Sequence, residues 1–169
     1  MSNSSIKAEW HHLLAEDMAQ VDTIADSIHP GLPERPEVFA EKRNLFPAGC
    51  WKFVHEQTIV GYGLSHPWQL FDVPPLDESL NTLPSSANCL YVHDVAILPQ
   101  VRGQRAAPRF IERISSEARA RGIPYLACVS VYGTDRLWAQ TGFETVSNEA
   151  IKPKLRSYGD HAKYMVAKI

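Results

Sequence analysis

One run near the middle of this chain limits what it can fold into. Leu90 to Leu98 is almost continuously apolar, broken only by His93 and Asp94. Such a run predicts a strand covered on both faces, near the centre of a sheet. The string LPQVRGQRAA begins at Leu98 and leads into a helix that reaches Arg121. That helix carries Ala107, Phe110, Ile111, Ile114 and Ala118 on one stripe, with charged residues opposite and Gly122 as its left-handed stop. Tyr125 to Val131 then reads as another strand. Strand, loop, helix and strand in succession commit this part of the chain to an α/β layer arrangement.

The flanking segments add to that layer. Ile6, Ala8 and Trp10 alternate with polar neighbours as a half-buried strand does, and Asp17 caps a helix on which Met18, Val21, Ile24, Ala25 and Ile28 recur at helical spacing. His29-Pro30-Gly31 breaks that helix, and Glu37 to Phe46 supplies a second, ended by Pro47. Trp51 to Val54 and Ile59 to Ser65, on either side of Glu56-Gln57, form an antiparallel hairpin, the turn being too short for a crossover. Residues 67 to 86 hold Pro67, Pro74, Pro75 and Pro84 and read as a long loop pinned by Trp68 and Phe71. Thr134 and Asp135 start a short helix that Gly142 ends, and Phe143 to Val146 and Ala162 to Lys168 supply the last strands, the latter a candidate edge.

With 169 residues the chain fits one domain spanning 1–169. A net charge of −2 gives no global attraction to nucleic acid or an anionic membrane. The arginines of the central helix alternate with Glu112 and Glu117 and lack accompanying aromatics, as a solvated helix face does. Cys50, Cys89 and Cys128 have no CxxC spacing, which argues against disulfides and structural zinc and suits a reducing cytoplasm. The histidines, including the adjacent His11-His12 pair, do not fall at metal-ligand spacing, and no metal is expected. Neither a signal peptide nor the roughly 20 apolar residues of a membrane span is visible, so a cytoplasmic protein is expected.

The loop after the central strand carries the chemistry. A helix start presents unpaired N–H groups with positive partial charge. Arg102 and Arg105 add full charges there, and Gly103, Ala106 and Ala107 are small enough to let a bulky anion reach the backbone. A pyrophosphate-bearing ligand fits such a site. On loop chemistry alone, a turn that merely starts a helix is the more economical reading.

Over about residues 88 to 146, the order of strand, VRGQ loop, amphipathic helix, strand, short helix and the ending WAQTGF resembles the core of the GNAT acetyltransferase superfamily. The family loop reads Q/R-x-x-G-x-G/A; Gln100, Arg102 and Gly103 match it, and Arg105 stands where the second small residue belongs. The resemblance implies a mixed, mostly antiparallel central sheet flanked by helices, and an N-acetyltransferase with acetyl-CoA as acyl donor. It implies that backbone groups of Val95 and Ile97 bond the pantetheine arm. Arg102, Gly103, Gln104, Arg105, Ala106 and Ala107 would cradle the phosphates. Arg105 would either crowd the pyrophosphate or turn outward and pair with it. Trp138 occupies a position where many members carry a tyrosine, and an indole cannot protonate a departing thiolate. These two departures also fit a GNAT-fold binding module without turnover. A homodimer follows only by analogy, and the acceptor site falls on the least similar parts, the N-terminal helices and the 67 to 86 loop.

Transfer to an amine requires that the amine lose a proton, that the carbonyl oxygen be stabilised, and that the thiolate leave. A ternary complex achieves this by proximity, without a covalent intermediate. His93 and Asp94 are the candidate bases, acting through water, although strand alternation would send them to opposite faces so that only one meets the thioester. Internal pairing of both is the competing reading. Tyr132 is a candidate proton donor, and Cys89 reads as a small buried hydrophobe rather than a nucleophile.

Overall fold

Glu56 and Gln57 both adopt positive φ, 45° and 67°, the backbone of a tight turn whose twist matches the strands it joins. Around this turn a computed structural model, which describes residues 7–169, forms the hairpin of β2 (Cys50–His55) and β3 (Thr58–Trp68). The other elements are β1 (Glu9–His12), α1 (Met18–Ile28), α2 (Pro36–Leu45), β4 (Cys89–Ile97), α3 (Ala106–Ala120) and β5 (Tyr125–Ser130). The chain closes with α4 (Asp135–Ala139), β6 (Glu144–Thr145), α5 (Lys152–Arg156) and β7 (Lys163–Lys168). Of the predicted first strand, Ile6 lies outside the described residues.

The strands form one sheet in the order β1-β2-β3-β4-β5-β7-β6. Every pairing is antiparallel except β4 with β5. This is the mixed, mostly antiparallel sheet flanked by helices that the resemblance implies. On one face α1 and α2 pack Val21, Ile24 and Phe39 against Tyr62, Leu64 and Ala96. On the other, α3 packs Phe110, Ile114 and Ala118 against Trp10, Phe53, Leu90 and Val92. Phe110 and Ile114 are fully buried, and burial of side chains this size stabilises by about 1.5–3 kcal/mol each.

Four expectations change. β3 runs on through Pro67 to Trp68, so the irregular segment starts two residues later than expected; Pro67 is accommodated because β3 pairs it with Leu90 only on its β4 side. β7 is not an edge: it lies between β5 and β6, because the short β6 folds back on Val166 and Met165. Ala107 is only half-buried and lines a cleft, while Ala106 takes the core position. α5, which sequence periodicity does not reveal, delivers Tyr158 into a third cluster with Tyr91 and Tyr164.

The Pro-rich segment after β3 is tied down at several points. Trp68 Nε1 donates to Asp72 O at 2.8 Å, the Phe71 amide donates to the Tyr164 hydroxyl at 2.9 Å, and the Tyr158 hydroxyl donates to Pro74 O. Carboxylates from the other side complete the work: Glu34 accepts from the Asp77 amide, and Glu41 from the amides of Leu80 and Asn81. A loop without internal ladders thereby satisfies its backbone. Among the described residues no helix is long and apolar enough to cross a membrane.

Candidate active site

β4 and β5 run side by side only over Cys89–Val92 and Tyr125–Cys128. Beyond Val92 they part, and a cleft of about 540 Å³ opens between them. Leu98 N donates to Val60 O on β3 at 2.9 Å; counting back by twos, the main chain of Ala96 also faces β3, whereas Ile97 and Val95 face the opening. Arg102 Nε donates to Ile97 O at 3.2 Å from that side.

The parting coincides with a β-bulge. Leu64 on β3 pairs with Asp94, but Ser65 pairs with Val92, so His93 is an extra residue on β4. The insertion breaks alternation. His93 packs beside Phe39 of α2, and Asp94 reaches Tyr62 on the same face. The expectation that the two point to opposite faces therefore fails: both line the cleft on the α1–α2 side.

Each of the two finds a partner invisible to local pattern. Asp94 Oδ2 accepts from the Tyr62 hydroxyl at 2.5 Å, and Asp94 Oδ1 lies 2.8 Å from His29 Nε2. The two groups sit at ion-pair distance, a pair that carries opposite charges once His29 is protonated. Burial lowers the His29 pKa, but the proximity and charge of Asp94, with Glu34 behind, outweigh it and the net shift is upward. Burial also raises Tyr62 well above the usual phenol range, reinforced by Asp94, keeping it neutral. His93 Nε2 lies 2.8 Å from Glu34 Oε1, with the histidine side chain fully buried and the glutamate 5% exposed. Burial would raise Glu34, yet His93, the Asp77 amide and Lys42 hold its carboxyl below the usual range. On the other side of the ring, His93 Nδ1 is buried without a partner. Two imidazole–carboxylate pairs thus flank the cleft.

At the other end, Gly103 (φ 89°) and Arg105 (φ 55°) take left-handed backbone conformations as the chain turns into α3. Glycine alone takes the conformation of Arg105 freely, since a Cβ there costs about 1 kcal/mol. The arginine is exposed. Among the described residues, no acceptor takes the amides of Gly103, Gln104, Arg105, Ala106 and Ala107. The Gln104 side chain is committed elsewhere, accepting from the Ala8 amide at 3.1 Å, while Arg109 donates to Ala8 O at 2.8 Å. Arg113 of α3 lies over Trp51 at 5.0 Å, and Arg121, which caps the helix, lies over Phe46 at 4.9 Å.

Tyr132 is 56% exposed at the cleft mouth, stacked on His29 at 5.9 Å, its pKa raised by partial burial and by Asp94. Trp138 contacts Phe143 edge-on at 5.2 Å and also lines the cleft, serving as both packing and wall. Cys89 is buried, and burial pushes its thiol up to about 12, which suits a small hydrophobe rather than a nucleophile. Among the described residues no three His, Cys, Asp or Glu side chains gather to hold a metal ion. Local pattern missed His29, Glu34, Tyr62 and Tyr158. The one available signal was that His29 and Glu34 flank the Pro-Gly break after α1, where a chain reversal can aim side chains inward.

The sequence profile described as the acetyltransferase (GNAT) family matches residues 9–143. No curated protein matches the chain. Among solved structures, the loading GNATL domain of CurA from Lyngbya majuscula aligns with TM-score 0.77 at 16% identity, over 96% of this chain and 98% of that one. The GNAT-like decarboxylase GphF in complex with isobutyryl-CoA aligns with TM-score 0.76 at 16% identity, over 95% and 98%. Ard1 from Thermoplasma volcanium aligns with TM-score 0.71 at 12% identity, over 96% and 97%. At these identities the likeness is one of fold.

Proposed function

The chain belongs to the acetyltransferase (GNAT) family, and from that premise we propose that it transfers an acetyl group from acetyl-CoA to an amine by direct attack in a ternary complex. The observation that carries this reading is the β4 bulge, which brings His93 and Asp94 to one face beside the opening between β4 and β5. The residues present fit the donor. Untaken amides from Gly103 to Ala107, with Arg102 beside them, suit phosphates. The main-chain edge of Val95 and Ile97 suits the amides of a pantetheine arm.

The chemistry asks for one proton out and one proton in. The amine nitrogen bonds to the thioester carbon, the carbon–sulfur bond breaks, the amine gives up a proton and the thiolate gains one. His29, which lines the cleft paired with Asp94, is the base in this reading, its pKa raised by Asp94 against the opposing effect of burial. Asp94 acts through it, stabilising the imidazolium. His93, fully enclosed and paired with Glu34, is a positioning residue that holds the bulge beside Asp94. Tyr132, kept neutral by its raised pKa, returns a proton to the thiolate.

The test is calorimetric titration with acetyl-CoA, followed by CoA release upon addition of amines. Arg102→Glu should weaken acetyl-CoA binding at least about tenfold. Asp94→Asn should bind acetyl-CoA like the parent while amine-dependent release falls about a hundredfold or more. Binding by the parent without release by any amine would favour the module that binds without turnover, to which Arg105 and Trp138 also point. Failure to bind would sink the acetyl-CoA reading.

A further inference from the structure

We propose that Asp77 is a positioning residue for the transfer: it clasps the connection between α1 and α2, residues 29–35, and so holds His29 and Glu34 against β4. The inference rests on the reading of His29 as the base. Asp77 is gripped through backbone and side chain together. Its amide donates to Glu34 Oε2 at 3.1 Å, and its Oδ1 accepts from the Arg35 amide at 2.7 Å. The Arg35 side chain completes the clasp, Nε donating to Asp77 Oδ1 at 3.1 Å and Nη2 to Asp77 O at 2.8 Å. The Asp77 and Arg35 side chains are 40% and 57% exposed, so their charges alone would contribute little. Four hydrogen bonds between one residue and two consecutive ones fix the geometry instead. The residue type suits the place, since Asp77 has φ 59°, a left-handed backbone that aspartate and asparagine tolerate better than other side chains.

The connection has little else to hold it. Pro30 and Pro33 carry no N–H, and among the described residues no main-chain hydrogen bond joins residues 30–34 to a strand. His29 and Glu34 meet β4 through Asp94 and His93. Asp77, by contrast, stands on a fastened strap. Leu76 beside it packs into the cluster of Val73, Tyr91 and Tyr158 and lines the cleft, and the Tyr158 hydroxyl donates to Pro74 O. On its other side α2 holds the chain: Glu41 accepts from the amides of Leu80 and Asn81, and Lys42 Nζ is directed to Glu78 O at 3.5 Å. The strap therefore reaches the connection through Asp77. It also reaches the β4 bulge, because Glu34 Oε2 is shared between the Asp77 amide and His93 Nε2. Without the clasp His29 would depend on its pairing with Asp94, and a displacement of about 1 Å at a reacting group can cost about a hundredfold in rate.

The experiment is an NMR titration of the histidine rings in the full chain, His29 being the resonance that His29→Gln removes. Burial lowers the His29 pKa, and Asp94, with Glu34 behind, carries it above the ordinary value. Asp77→Ala should let it fall toward that ordinary value, near 6.5, as the pair with Asp94 loosens. Asp77→Asn keeps the amide and an Oδ1 acceptor and should leave it in place. Arg35→Met removes two of the four bonds and should move it the same way by less. Tyr164→Phe unties the strap at Phe71 instead and should not move it. A His29 value unmoved by Asp77→Ala, lowered as much by Asp77→Asn, or lowered by Tyr164→Phe would overturn the inference. Acetyl-CoA should bind Asp77→Ala within about twofold of the parent, while CoA release in the amine screen falls about tenfold or more. A lowered His29 value in Asp77→Ala, with no release by the parent for any amine, keeps the clasp and sinks transfer; release by the parent with His29 unmoved does the reverse.

Discussion

Acidification should destabilise this protein through His66, and replacing that residue should remove the effect. His66 lies on β3 with no exposed surface, its ring 5.1 Å from Trp68 and 5.6 Å from Tyr91. Nδ1 bonds to Pro67 O at 3.1 Å, and Nε2 is buried with no partner to share a second proton. Burial drives its pKa down to about 3; the Pro67 bond opposes this, and His93 and Lys42 add to the fall. In the unfolded chain a histidine titrates near 6.5. The folded value is the lower one, so the unfolded state takes the proton first. The contribution is complete above the unfolded pKa and is lost as pH falls toward the folded value. Each unit is about 1.4 kcal/mol, and moving from pH 7.5 to pH 4.5 crosses about two units below the unfolded pKa, a loss of about 3 kcal/mol. That is a large share of a typical stability of about 5–15 kcal/mol. His29 cannot imitate the effect, since its pKa is raised and its contribution is lost as pH rises through the folded value. Urea unfolding at the two pH values measures the difference directly, and His66→Asn should lose about 3 kcal/mol less than the parent over the same interval. Equal losses would refute the reasoning, whatever the absolute stability of the variant.

Other consequences are as direct. A Cβ at Gly63 would stand 2.5 Å from Phe110 Cζ and 2.8 Å from its Cδ2, and that ring is fully enclosed. Gly63→Ala should therefore cost about 1–3 kcal/mol; an unchanged melting temperature would show that α3 yields easily. Arg105→Gly relieves a left-handed arginine and should add up to about 1 kcal/mol, with a lower melting temperature contradicting the assigned backbone. Cys50 and Cys89 are buried with thiols pushed up to about 12, and Cys128 is buried and raised further. A thiol reagent should find none of them in native protein and all of them in urea, and rapid native labelling would disprove their burial.

Imidazole–carboxylate pairing beside a wedge in a parallel strand pair also bears on how such a site is built. Breaking Asp94 from its neighbours frees a tyrosine and a histidine together, because one carboxylate serves both Tyr62 and His29. Single substitutions here will not add independently, and a double-mutant cycle on Asp94 and His29 is needed to apportion their effect.

Local pattern alone determined much of this protein. The apolar run of β4, the stripe of α3, the hairpin at Glu56-Gln57 and the glycine stops at Gly122 and Gly142 are visible because each depends on neighbours within a turn or two. The loop from Arg102 to Ala107 was legible for the same reason, as was the presence of His93 and Asp94 on the central strand. Tertiary structure decided what those two residues face and whom they meet. One inserted residue at His93 reverses the parity that alternation assumes, and no periodicity announces it. The Glu34 partner of His93 lies 59 residues away in sequence, and His29 reaches Asp94 only because α1 ends above the bulge. β7 likewise became an interior strand only when β6 folded back on it. Local propensity reports what a segment does against any neighbour, whereas pairing, register and charge contact depend on which neighbour the packed core supplies.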